Sequence, residues 1–103
     1  MPNKNVPVGK TQSEPKWKLI LYISRHTPAS DQAQANLLKL CEKYVPNQFS
    51  LEVVDIHDPE QEIPLDILAV PTVVRISPPP ERRVLGDLSN RDRAVQGLGF
   101  KKP

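Results

Sequence analysis

The chain has 103 residues, enough for one small domain with a modest core. Hydrophobic residues at 38% and charged residues at 25% describe a soluble globular protein, and a net charge of +2 is too small to argue for a phosphate-backbone partner without a clustered basic face. The single cysteine, Cys41, excludes an intrachain disulfide, a Cys-x-x-Cys redox pair and a cysteine-rich zinc site.

Residues 1–16 are polar, carry three prolines and three lysines, and show neither helical nor strand periodicity, so a flexible tail is expected there. They contain no apolar signal segment, and no later stretch approaches the roughly 18 apolar residues of a membrane span. The expected location is cytoplasmic. "KLILYI", Lys18 to Ile23, is nearly continuous in apolar residues and reads as a central strand buried on both faces. "SRHTPAS" then leads into a helix, with Thr27 placed to cap and Pro28 at the first helical position, where its missing N–H costs nothing. Ala33, Leu37, Leu40, Cys41 and Tyr44 recur at helical spacing and form the stripe that packs on the sheet.

Pro46-Asn47 ends that helix, and "FSLEVVDI", Phe49 to Ile56, reads as a second strand, parallel to the first across a right-handed crossover. Asp58-Pro59 reads as a further cap and first helical position, with Pro64 limiting the helix to a turn or two before "LDILA". After Pro71, "TVVRIS" is a third strand, "PPPE" a rigid turn and "RRVLG" the return arm of a hairpin whose prolines blunt an edge. Asp87 to Asn90 offers capping residues for a last helix running to about Gly97, with Ala94, Val95 and Leu98 on its apolar face.

The order βαβαββα predicts a thioredoxin-like α/β domain over residues 17–100, strand order 2-1-3-4, helices on both faces and a short tail at 101–103. A cis Val70-Pro71 bond is expected at the entry to the third strand, facing the loop from Arg25 to Ser30. The chemistry of that fold is another matter. A thioredoxin-type enzyme places a thiol at the N-terminus of the first helix, where the helix dipole lowers its pKa. Here "TPAS" puts Thr27 and Ser30 in those places, and a hydroxyl cannot replace a thiolate in disulfide exchange.

The remaining candidates have ordinary explanations. Cys41 is expected as a small buried hydrophobe and His26 as an exposed loop residue without a nucleophile to serve. His57 between Asp55 and Asp58 lacks a recurring ligand spacing, and Asp58, Glu60, Glu62 and Asp66 read as solvated carboxylates. No catalytic residue, metal or cofactor is expected, although a transferase or oxidoreductase using His26, Thr27 and Ser30 stays as the enzymatic alternative. Arg75, Arg82 and Arg83 cluster across the hairpin and either read an acidic partner surface or keep an edge soluble.

"LAVPTVVRISPPPERRVLGDLSN", Leu68 to Asn90, with "LYISRHTPAS" and "LEVVDI", resembles the KaiB family of circadian clock proteins over about residues 18–98. The triple proline followed by "RRVLGDLSNR" is the specific part. The resemblance implies a non-enzymatic protein that binds the first ATPase ring of KaiC, modulates its phosphorylation cycle, displaces the sensor domain of the SasA histidine kinase and helps sequester KaiA. It also implies fold switching between a tetrameric βαββααβ ground state and the thioredoxin-like form, with Val70-Pro71 opening the segment that refolds.

Two departures from the family pattern shape the expectation. The chain ends "GLGFKKP" where family members carry an acidic or aromatic-rich extension, which favours a thioredoxin-like monomer at rest. Basic residues implied in the first helix and before "ILA" are here Gln32 and Asp66, so the partner contacts expected at Gln32, Asp66, Arg75, Arg82 and Arg83 are less basic than in the family. A divergent paralogue serving another ATPase or kinase is the alternative.

Overall fold

The computed structural model describes residues 15–101; most of the expected N-terminal tail, and the last two residues, lie outside the described residues. Six elements follow one another: β1 (Trp17–Ile23), α1 (Pro28–Tyr44), β2 (Phe49–Asp55), β3 (Thr72–Ser77), β4 (Arg82–Leu85) and α2 (Arg91–Leu98). The sheet order is β2-β1-β3-β4, as expected, with β1 parallel to β2 and antiparallel to β3, and β4 closing the hairpin on β3. The interior strands are therefore β1 and β3, and β1 is the most continuously apolar segment of the chain.

Alternation along the strands sorts side chains to two unlike faces. Leu19, Leu21, Ile23, Phe49, Leu51 and Val73 form one core with Ala33, Leu37, Leu40 and Cys41 of α1 and Ala94, Val95 and Leu98 of α2. Both helices thus cover the same face. Tyr22, Val54 and Val74 point to the other face, where Ile56, Ile63, Ile67 and Val70 pack over them from the chain between β2 and β3.

That connection corrects one expectation. No helix forms after Asp58: the Asp58 carboxylate accepts from Glu60 N–H at 2.9 Å, and single turns follow, with Gln61 N–H on the Asp58 carbonyl and Ile67 N–H on the Pro64 carbonyl. Pro64 has no N–H to give a helix begun at Pro59, and its ring would meet the carbonyl four residues earlier. The order is βαβββα, and the second face is covered by an irregular strap instead of a helix.

The helix ends follow their sequence signals. Thr27 Oγ1 caps α1 by accepting from Ser30 N–H, with Pro28 at the first position. Asn90 caps α2 by accepting from Arg93 N–H at 3.1 Å. The C-terminus of α2 closes on Gly99 at φ 74, a left-handed conformation that glycine adopts without a Cβ penalty, and Phe100 N–H returns to the Val95 carbonyl. Phe100 then packs edge-on to Trp17 and stacks with Tyr44, centroids 5.0 and 5.9 Å away, sealing that end of the core.

Candidate functional site

The loop from Ser24 to Ser30 and the Val70-Pro71 bond, which is cis, mark the two places where a thioredoxin-type site would be built. The hydroxyls there are committed to the backbone. Thr27 Oγ1 donates to the Ser24 carbonyl at 2.8 Å while it caps α1, and buried Ser30 Oγ accepts from Ser24 N–H at 3.1 Å. Together they fasten the end of β1 to the start of α1. His26 sits at φ 71 and is exposed.

The carboxylates near His57 likewise hold the loop. Asp55 accepts from the His57 backbone N–H at 3.1 Å and faces Arg25 Nε at 3.6 Å, while the His57 ring reaches Ser24 Oγ at 3.1 Å. The His57 N–H, chiefly, keeps the Asp55 carboxyl below the usual carboxylate range. Among the described residues no group of His, Cys, Asp and Glu is arranged to hold a metal ion. Cys41 is fully buried in the core, and burial pushes its thiol up to about 12.

The expected partner contacts do not form one surface. Gln32 lies on the exposed side of α1 and pairs with Asn36, whose amide donates to the Asp87 carbonyl at 2.9 Å. Asp66 and Arg83 meet on the strap side of the sheet at 3.0 Å, with Glu81 on the same guanidinium at 3.2 Å. Asp66, first, and Glu81 hold the Arg83 guanidinium more firmly charged. Arg82 and Arg75 are cross-strand partners on the helix side, so the expected three-arginine cluster is divided by the sheet. Arg75 is not a rim charge at all: it is 4% exposed and donates to the Leu98 carbonyl at 2.7 Å and the Pro80 carbonyl at 2.8 Å. Strand alternation carried that signal, since Arg75 falls two residues after inward-facing Val73.

What sequence reading missed is apolar. Leu65 and Leu68 project from the strap with 97% and 89% of their surface exposed. They flank Asp66 and precede Pro71. The strap spends Ile63, Ile67 and Val70 on the sheet, and the leucines between them have no inward side left. Leu85, on the strap side of β4, is also 67% exposed. A surface with charged residues and protruding leucines is suited to recognising a partner.

Comparison with known proteins decides the family. The chain matches the KaiB domain over residues 20–100. It is 40% identical over 93 residues to the circadian clock oscillator protein KaiB of Thermostichus vulcanus, spanning 89% of this chain and 82% of that one. The chain belongs to the KaiB family. It is also 33% identical over 81 residues to the circadian clock protein KaiB3 of Synechocystis sp., covering 78% of this chain and 79% of that one. A Prochlorococcus marinus KaiB shares 42% over 81 residues, 78% of this chain and 71% of its own. The KaiB match spans all six elements except the first residues of β1, so the thioredoxin-like arrangement and the family coincide on the same residues. Among the described residues no helix is long and apolar enough to cross a membrane.

Proposed function

We propose that this KaiB-family chain is a non-enzymatic regulator that binds a KaiC-type ATPase and rests mainly as a thioredoxin-like monomer. The observation that carries the reading is the strap before Pro71, which exposes Leu65 and Leu68 beside the Asp66–Arg83 pair on a chain of this family. Thr27 and Ser30, being spent on a helix cap and a strand end, support binding over transferase chemistry. KaiA sequestration and competition with a SasA-type kinase would follow from the same complex. The acidic run Asp58, Glu60, Glu62 and Asp66 favours a second reading, a divergent paralogue whose ATPase or kinase partner presents a basic surface.

The test mixes the full chain with purified KaiC from the same organism and ATP, on size-exclusion chromatography. Co-elution is expected, and Leu65→Ser with Leu68→Ser should weaken it at least about tenfold, a loss of about 1.4 kcal/mol. Absence of any complex overturns the KaiC assignment. Backbone chemical shifts of the free chain should be helical from Arg91 to Leu98; strand shifts there, or a tetramer by light scattering, overturn the resting form.

A further inference from the structure

A second site lies at the opposite end of α1, around Arg75. Its guanidinium is a buried charge with two neutral carbonyls as acceptors, from Leu98 and Pro80, and its Nε has no hydrogen-bond partner among the described residues. The ring of Trp17 lies 5.3 Å from the guanidinium carbon. Buried charges in proteins ordinarily carry a counter-charge. Among the described residues the charge that acts on it is another cation, Arg82, which, after burial, further lowers the Arg75 pKa.

A pocket of about 430 Å³ opens beside this group, within the range that holds small ligands. Among the described residues its charged lining is of one sign, Lys16, Arg75 and Lys101, with Gln48 as a neutral polar group. Trp17 and Tyr44 contribute aromatic walls, and Pro78 and Pro79 close the hairpin side. A Cβ on Gly99 would come within 2.6 Å of Arg75 Nη1, so glycine there keeps room for the guanidinium. The carbonyl of Leu98 is at the negative end of α2, which eases the burial of Arg75 but offers only a partial charge against it.

We propose that this pocket binds a small organic anion, a carboxylate or phosphate group on an apolar body, with Lys16, Lys101 and Arg75 meeting the charge. The apolar body lies against the Trp17 and proline walls. Charge-assisted bonds of this kind are the strong ones available to such a ligand. Neither the strap nor the ATPase partner proposed above enters the argument, so the two readings stand or fall separately.

The chain's only tryptophan lines the pocket, so its own fluorescence reports occupancy. The full chain is titrated with phenyl phosphate and with benzoate, ionic strength held constant by sodium chloride. A saturable change in emission is expected, and the probe that saturates at lower concentration identifies the anion class. Lys16→Gln with Lys101→Gln, which alters only exposed side chains, should weaken it about tenfold, and Arg75→Met should abolish it. Because Arg75→Met can fail to fold, the lysine pair decides. An unsaturable change with both probes, a response that chloride alone reproduces, or an unaltered affinity in the lysine variant overturns the site.

Discussion

Gly97 of α2 provides a direct measure of whether that helix rests on β4. A Cβ built at Gly97 would lie 2.6 Å from Val84 Cγ2, and its three nearest atoms outside the helix backbone all belong to Val84. Valine is stiff at χ1 and cannot swing that methyl aside freely, so Gly97→Ala must shift the helix or the strand. Overpacking of this kind costs about 1–3 kcal/mol, against which alanine in a helix interior returns about 1 kcal/mol over glycine. The net expectation is a destabilisation of about 1 kcal/mol. In a Val84→Ala background the offending methyl is gone, and the same substitution should stabilise by about 1 kcal/mol. The sign of the effect therefore reverses with the residue at 84. Urea unfolding of the four chains of this double-mutant cycle reads it, each kcal/mol moving the midpoint by about 0.5–1 M. If Gly97→Ala stabilises equally in both backgrounds, α2 does not pack on β4, and the arrangement proposed for the resting protein is wrong.

Thr27→Ala removes both the cap on Ser30 N–H and the bond to the Ser24 carbonyl, and should cost about 1–2 kcal/mol, a fall in Tm of at least about 4 °C by calorimetry. Disulfide-exchange or glutathione-transfer activity in the parent chain that this variant lost would refute the non-enzymatic reading. Cys41 should resist alkylation in the folded chain at pH 8 and react on unfolding. Its folded pKa is raised to about 12, so the native state holds a proton that the unfolded chain releases near 9, and stability should fall as pH rises between those values. Cys41→Ala should flatten that part of the stability profile.

Much of this protein is legible along the chain because its signals are local. Thr27-Pro28 and Asn90 start helices through side-chain oxygens that satisfy orphan N–H groups a few residues away. The near-continuous apolar run of β1 specifies a strand buried on both faces, wherever its neighbours lie. The same locality accounts for the failed helix after Asp58, where a good cap and first-turn proline outweighed the weaker signal of Pro64 five residues later. The candidate site was less legible. Leu65 and Leu68 have the composition of core residues, and only the path of the strap leaves them facing outward.

Taken alone, the sequence determines a dithiol-free α/β succession of strands and helices and the residues that tie it to the KaiB family, because caps, alternation and missing thiols are properties of neighbouring residues; the strand order 2-1-3-4 follows only by likeness to the thioredoxin-like arrangement. Tertiary structure decides which charges are available. Arg75 and Arg83 lie on one hairpin and look alike in the sequence, yet one is buried under α2 against two carbonyls and the other is held at the surface by Asp66 and Glu81. The pleat sends them to opposite faces of the sheet, and what covers each face is chosen by packing between segments far apart in the chain.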